Sequence, residues 1–493
     1  MKLSKLLERM KYTVLEGGEC EITGFSYDSR KVKTGDIFVC IKGAVFDGHD
    51  KADEVLMKGA ACIVIEKDVR EDILTNSDAS IILVDDTRLA LAQLSAAWFG
   101  YPAEKLTTIG ITGTKGKTTT TYMVKNSLEA CDIKCGLIGT IETIIGNEKI
   151  PAVNTTPESY VVQETFDKMV KAGITHVVME VSSQGLMLHR VGGFTFDFGV
   201  FTNLEKDHIG PNEHKDFEDY ANCKAMLFKQ CKVGIFNVDD DGALRMMKDA
   251  TCKVETFGTN KGADLRAKDM ELFQEKGIVG IKYNIAARKD YPVVVNVPGK
   301  FSLYNSLCAI AICKHFVKDI TEVITALRTV SVKGRSELVP VSDKFSVMVD
   351  YAHNAMSLES LLTAIREYNP KRIVCLFGCG GNRSRDRRFE MGEVSSSLAD
   401  FTIVTSDNPR NEEPAAIIED ILVGVKRGGG EYMVIEDRKE AIGYALQFAK
   451  EGDIVIVAGK GHEDYQEIKG VKHHFDDREV IEELAKGDSK LWV

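Results

Sequence analysis

The stretch Gly110-Ile-Thr-Gly-Thr-Lys-Gly-Lys-Thr-Thr-Thr-Thr121 constrains this chain more than any other. It follows the apolar run 106–109 and precedes a helical pattern over 122–130. Strand, glycine-rich loop and helix form the local context in which a backbone closes around phosphate. Glycines let several N–H groups converge on the phosphate oxygens, and the helix N-terminus adds partial positive charge. In that geometry Lys117 reaches the outer phosphates and the Thr118 hydroxyl ligates Mg²⁺. The spacing departs from the common phosphate loop, because position 111 is Ile and the nearest glycines are Gly110 and Gly113. The loop predicts nucleotide use without saying what the nucleotide is used for.

A chain of 493 residues predicts roughly three domains. The net charge of −11 with no Lys/Arg run argues against nucleic-acid or anionic-membrane partners. It does not argue against a nucleotide, which local glycines and cations hold. No apolar run reaches the ~18 residues of a membrane span, and the charged start Met1-Lys-Leu-Ser-Lys5 does not read as a signal peptide. The twelve cysteines include no Cys-x-x-Cys, so reduced thiols and no zinc are expected.

Residues 1–102 read as a small α/β unit, with buried strands at 36–41 and 61–65 and a helix at 89–99 ended by Gly100-Tyr-Pro102. Residues 103–330 alternate strand and helix, with apolar strands at 107–112, 175–180 and 198–203. Residues 331–493 repeat the style, with strands at 345–350, 372–378, 401–406 and 454–458. Such alternation implies parallel sheets covered on both faces. Polar residues at the strand ends mark where open α/β sheets place ligands.

Several strand ends carry candidates. Glu180 ends a strand and is placed like the metal-binding carboxylate of a phosphate-loop enzyme, although Ser182 and Ser183 could instead cap a helix. His208, after the next strand, could ligate a metal or orient a carboxylate. Lys224 lies in a helical stretch and alone reads as a surface cation. Asn154-Thr-Thr-Pro157 reads as a turn opening a helix, and Asn305 as the start of another. Arg335 and Asp350 flank the first strand of the third domain. Asp407-Asn-Pro-Arg410 is a good strand-to-helix turn, yet Arg410 is suited to gripping a carboxylate in a two-bond fork. Arg383 is a second such candidate, and Gly459 and Glu463 close another strand, where a carboxylate could meet an ammonium group.

Taken together, Gly113-Thr-Lys-Gly-Lys-Thr-Thr119, Glu180-Val-Ser-Ser183, Thr202-Asn-Leu with Asp207-His208, Asn305, Gly334-Arg335 and Asp350-Tyr-Ala-His353 resemble the Mur ligase family in order and spacing. Tyr27-Asp-Ser-Arg30, Gly35-Asp-Ile-Phe38 and Asp47-Gly-His49 look like a uridine-binding domain of that family. Asp407-Asn-Pro-Arg410 looks like its signature for meso-diaminopimelate.

The resemblance implies an α/β protein of three domains. These are a small UDP-binding domain (1–102), a central phosphate-loop domain with a parallel sheet (103–330) and a Rossmann-like, amino-acid-binding domain (331–493). It implies a cytoplasmic, monomeric ligase using ATP and Mg²⁺ on small-molecule substrates, a UDP-muramoyl dipeptide and an amino acid. Lys117, Glu180, His208 and Lys224 would be catalytic. Gly113, Thr114, Lys115, Gly116, Lys117, Thr118 and Thr119 would hold ATP with Asn305, Arg335 and Asp350. Thr118, Glu180, His208 and a carbamylated Lys224 would hold metal. Ser29 would contact uracil, and Asn154, Thr155, Thr156, Ser182 and Arg190 the muramoyl peptide. Arg383, Asp407, Asn408, Arg410, Gly459 and Glu463 would bind the amino acid.

Gln184, Leu188, Ser302, the segment Ile209-Gly-Pro-Asn-Glu-His214 and Asn354-Ala-Met356 depart from the family pattern. Four alternatives stay open: a ligase adding L-lysine or another amino acid to the same acceptor, a folate-polyglutamate ligase, a nucleotide-dependent binding protein, and an inactive paralogue.

Overall fold

The computed structural model describes residues 1–43, 46–67, 78–207, 209–210 and 213–487. It comprises two compact units, residues 1–121 with 131–257, and residues 122–130 with 258–493.

The first unit contains two sheets. The N-terminal one has the order Thr13–Glu16, Ser80–Leu83, Cys62–Ile65, Asp36–Val39, Gly24–Ser26. Its four later strands are parallel, and only Thr13–Glu16 is antiparallel. Successive side chains on a strand point to opposite faces. Ile37, Val39, Cys62 and Val64 therefore pack with Leu3, Leu6 and Leu94, whereas Phe38, Ile63 and Ile65 pack with Val55 on the other side. The helix Thr87–Trp98 starts where Asp86 accepts a hydrogen bond from Leu89 N at 2.8 Å. It is followed by the left-handed residues Gly100 and Tyr101 before Pro102.

The second sheet runs Lys253–Gly258, Cys231–Asn237, Phe196–Phe201, Thr107–Thr112, His176–Glu180, Cys135–Ile138, Glu142–Ile145, Glu148–Pro151. The first six strands are parallel, as expected. The last two are antiparallel hairpins, which the expectation of purely parallel sheets missed. Gly146 in left-handed conformation makes the second turn too tight for a crossover helix. Mid-strand Gly110 leaves room for its neighbours: a Cβ there would meet Phe196 at 3.0 Å and Val181 at 3.1 Å.

The second unit begins with an antiparallel meander, Leu265–Glu275, Ile278–Ile285 and Tyr291–Val295. The strand-helix alternation read over 103–330 did not predict it. The helix Phe301–Cys313 follows and is buried almost throughout. Asn305 is therefore mid-helix, not at the helix start, because the apolar run extends four residues upstream. The C-terminal sheet has the order Glu337–Leu338, Ser346–Asp350, Ile454–Ala458, Ile373–Phe377, Phe401–Val404, Tyr432–Val434. All pairs but the first are parallel. Apolar layers cover both faces, with Met348, Cys375 and Ile456 on one and Val347, Val374 and Val455 on the other.

A fully buried ion pair pins the strand ends of this sheet. Arg438 donates to Asp477 at 2.7 and 2.8 Å and also to the carbonyls of Ala458 and Ser406. Removing one partner of such a pair strands a buried charge. Asp477→Ala should cost about 3–5 kcal/mol in urea unfolding. A loss below about 1 kcal/mol would show that water or a rearrangement satisfies Arg438.

Candidate active site

Three parallel strands of the first unit end level with one another. Gly110 stands opposite Met179 on one side and Gly199 on the other. The loops after Thr112, Glu180 and Phe201 therefore converge at the C-terminal edge, where open sheets place ligands. The phosphate loop lies there, between the strand Thr107–Thr112 and the helix Lys117–Ala130. Gly113 and Gly116 have φ of 152° and 83°. A Cβ on Gly113 would overlap Thr202 Oγ1, so only glycine fits. The neighbouring loop braces the phosphate loop: Lys115 N donates to Asn203 Oδ1 at 2.8 Å, and Thr202 Oγ1 donates to Lys115 O at 2.9 Å. Lys117 folds back on its own loop, donating to Gly113 O at 2.8 Å and Thr114 O at 2.9 Å.

Glu180 is 1% exposed and sits at the centre of this edge. It accepts from Thr118 Oγ1 at 3.0 Å, Thr140 N at 2.8 Å and Thr140 Oγ1 at 3.0 Å. A carboxylate with adjoining hydroxyls is a hard, oxygen-only donor set of the kind Mg²⁺ takes. Thr140 went unnoticed in the sequence because an isolated loop threonine carries no pattern.

Lys224 is not the surface cation its sequence context suggests. It lies on the helix Phe217–Ala225, is 1% exposed and donates to Gly113 O at 2.9 Å. Burial, and then the neighbouring Lys117, hold its ammonium well below the usual lysine range. Its charge faces the Tyr220 ring at 4.4 Å, and the Tyr220 hydroxyl lies 3.0 Å from Thr114 Oγ1. Burial pushes the Tyr220 phenol up to about 12. The spacing of Tyr220 and Lys224, one helical turn apart, was a readable signal that went unused. His208 lies outside the described residues.

The muramoyl-peptide candidates fall around the same edge. Thr156 is buried and donates through Oγ1 to Glu180 O at 2.9 Å, while accepting from Ser182 N at 3.0 Å. Arg190 donates to Thr156 O at 3.0 Å and pairs with Glu158 at 2.9 Å. Thr155 Oγ1 lies 3.1 Å from Thr140 Oγ1. Asn154 is exposed and caps nothing: the following helix, Ser159–Lys171, has Glu158 at its N-cap with no side-chain bond. Ser182 does cap a helix, Ser183–Met187, accepting from Gly185 N at 3.0 Å. Ser29 is buried in the N-terminal subdomain, where its carbonyl accepts from Lys58 Nζ at 2.8 Å.

Sequence reasoning also missed His214. It is fully buried, with Nε2 2.8 Å from Ser183 Oγ and Nδ1 3.1 Å from Asp219 Oδ2. His214, Asp219 and Cys223 offer ligand atoms within 4.8 Å of one another. Both ring nitrogens are engaged, however, and burial pushes the Cys223 thiol up to about 11, so the trio reads as a hydrogen-bonded cluster.

In the second unit, a polar cluster gathers at the strand ends of the C-terminal sheet. Asn408 donates to Glu463 Oε2 at 2.7 Å and accepts from Glu467 N at 2.9 Å. The fully buried Lys460 lies 3.6 Å from Asp407 Oδ1 and 3.7 Å from Glu463 Oε2. Burial, and then Asp407, push the Glu463 carboxyl up. Gly459, with φ of 110°, keeps its backbone close to Asp407. Arg410 takes the left-handed conformation, donates to Gly381 O at 2.8 Å and pairs with Glu467 at 3.3 Å. Arg383 is exposed and outside this network. Lys460 and Glu467 were missed because neither has a pattern in its flanking sequence.

Asp350 is half-buried in the same unit and accepts from Ser336 N at 2.7 Å and Ala352 N at 2.8 Å. Burial pushes its carboxyl up, opposed first by Arg335. The Arg335 guanidinium lies 5.0 Å from the Tyr351 ring centroid. Asn305 is buried in its helix.

The Lys224 geometry has a pH signature. Its native pKa lies below the unfolded value of about 10.4, so between the two the unfolded chain binds more protons and stability rises with pH. In CO₂-free buffer, the stability of the wild type relative to Lys224→Met should rise with pH toward the unfolded value of about 10.4 in urea unfolding. A pH-independent difference would contradict a buried neutral amine.

Comparison with known proteins agrees with this arrangement. Residues 21–99 match a model described as Mur ligase family, catalytic domain. Residues 111–313 match the Mur ligase middle domain, and 334–461 the Mur ligase glutamate ligase domain. The UDP-N-acetylmuramoyl-L-alanyl-D-glutamate–2,6-diaminopimelate ligase of Clostridium botulinum is 43% identical over 490 residues, 99% of this chain and 100% of that protein. The protein of the same name from Clostridium perfringens is 41% identical, over 99% of this chain and 100% of its own. A solved structure of a ligase of that name is similar with a TM-score of 0.71 and 30% identity, covering 94% of this chain and 95% of that one. With sequence relatives matching end to end and the same fold, the chain belongs to the Mur ligase family.

Proposed function

We propose that this chain is an ATP-dependent ligase that joins meso-2,6-diaminopimelate to UDP-N-acetylmuramoyl-L-alanyl-D-glutamate. The observation that carries the reading is the convergence at one sheet edge of the phosphate loop, Glu180 bonded to Thr118, and the buried amine of Lys224. The relatives named for this activity match along the whole chain. The three domains are taken as 1–102, 103–330 and 331–493. The chain is taken to act as a monomer in the cytoplasm, and among the described residues no helix is long and apolar enough to cross a membrane.

In this reading the γ-carboxylate of the D-glutamate attacks the γ-phosphorus of ATP, the bond to ADP breaks, and an acyl phosphate forms. The amine then adds to the acyl carbon. The tetrahedral intermediate expels phosphate and the nitrogen loses its proton. Lys117, drawn off its own loop carbonyls, balances the charge developing on the transferred group. Thr118, Glu180, His208 and a carbamylated Lys224 would hold Mg²⁺, which supplies charge neutralisation at the phosphates. A neutral buried amine is the form of Lys224 that reacts with CO₂ to give a carbamate. Asn154, Thr155, Thr156, Ser182 and Arg190 grip the peptide and Ser29 the uracil. Asn305, Arg335 and Asp350 contact ATP.

The amino-acid pocket is the Asp407, Asn408, Gly459 and Glu463 cluster, whose carboxylates suit an ammonium group. Arg383 and Arg410 complete it. Diaminopimelate carries one carboxylate more than lysine, and Arg410 offers that group a charge-assisted fork in place of Glu467. Lysine would leave it unmet, a penalty of about 1–3 kcal/mol or roughly 10- to 100-fold.

Phosphate release should require the UDP-muramoyl dipeptide and run faster with diaminopimelate than with L-lysine. Arg410→Ala should remove most of that preference. Release favouring lysine would discard the specificity, and no amino-acid-dependent release would discard the ligase reading.

A further inference from the structure

The hydrogen-bonded chain Ser183–His214–Asp219 lies beside the phosphate loop and has no place in the mechanism above. A carboxylate only accepts, so His214 Nδ1 carries the hydrogen toward Asp219 at 3.1 Å. In a neutral ring Nε2 then accepts from the Ser183 hydroxyl at 2.8 Å. The two ends of the chain belong to different elements. Ser183 opens the helix capped by Ser182, directly after the strand that ends in Glu180. Asp219 lies on the helix Phe217–Ala225, the helix that also carries Lys224. The His214 ring also meets the Tyr220 ring edge-on at 5.3 Å, and Tyr220 touches both Lys224 and Thr114. One fully buried imidazole thus joins the peptide-gripping turn, the lysine-bearing helix and, through Tyr220, the phosphate loop.

We propose that His214 is a positioning residue that couples the acceptor-peptide site to Lys224, an inference that rests on the function proposed above. Ser183 is 3% exposed, so its hydroxyl serves as a link and not as a nucleophile. Binding of the dipeptide against Ser182 and Thr156 is then transmitted to the Lys224 helix by a rigid hydrogen-bonded strut. Without the strut, each element still folds, but the two are no longer held in one arrangement.

The test is steady-state kinetics of phosphate release for wild type, Ser183→Ala, His214→Asn and the double variant, with melting temperatures measured alongside. Ser183→Ala removes a single oxygen and guards against a His214 variant that fails to fold. Each single variant should raise the KM for the dipeptide roughly tenfold and lower kcat, leave the KM for ATP within about twofold, and the double variant should be no worse than the weaker single one. Losses that multiply in the double variant, or a lowered melting temperature with unchanged dipeptide KM, would overturn the coupling and leave the ligase reading intact. A wild type with no dipeptide-dependent release would overturn both.

Discussion

Parallel register is the constraint on which the central site depends. The strands Thr107–Thr112, His176–Glu180 and Phe196–Phe201 pair with Gly110, Met179 and Gly199 abreast. Their following loops are forced to the same edge, and the chemistry follows from what each loop carries. The first brings backbone donors and Lys117, the second Glu180, and the third the Thr202–Asn203 brace under Lys115. Gly110 and Gly113 make this possible, because side chains at either would push the strands or loops apart.

The site is electrostatically unfinished without its substrates. The ammonium groups of Lys117 and Lys224 both donate to the single carbonyl of Gly113, at 2.8 and 2.9 Å. Burial, and then the charge of Lys117 beside it, disfavour a proton on Lys224. Polyphosphate would relieve the repulsion between the two by drawing Lys117 outward. Carbamylation would relieve it further by turning Lys224 into an anion. A similar tension exists in the polar cluster of the C-terminal sheet, where the buried Lys460 shares Asp407 and Glu463 and burial keeps Glu463 high. An incoming ammonium would give Glu463 the partner that Lys460 supplies only at 3.7 Å.

Much of this could be read from the chain alone, for identifiable reasons. The strands Thr107–Thr112 and Ile454–Ala458 are bounded as their apolar runs predict, since short buried strands between glycine turns leave little else to form. The segment Asp407–Arg410 also falls between a strand and a helix, as its sequence predicts. It did not give the meander Leu265–Ile285, because a period of two in a long, half-exposed strand is diluted by charges. Asn305 was misplaced by four residues because helix starts without a capping side chain have no marker. The burial of Lys224 and of His214 was not legible for a different reason. A lysine in a polar-looking helix, or a histidine in the loop before it, carries no sign of burial, which comes with partners distant in sequence, Gly113 for Lys224 and Ser183 for His214.

The most direct test of the account follows oxygen. With the D-glutamate γ-carboxylate of the UDP-muramoyl dipeptide labelled in ¹⁸O, the released phosphate should carry one labelled oxygen for each amide bond formed, because the acyl phosphate is broken at carbon. Phosphate without label would mean that water, and not the substrate carboxylate, takes the phosphoryl group, and would contradict acyl phosphate chemistry at this site.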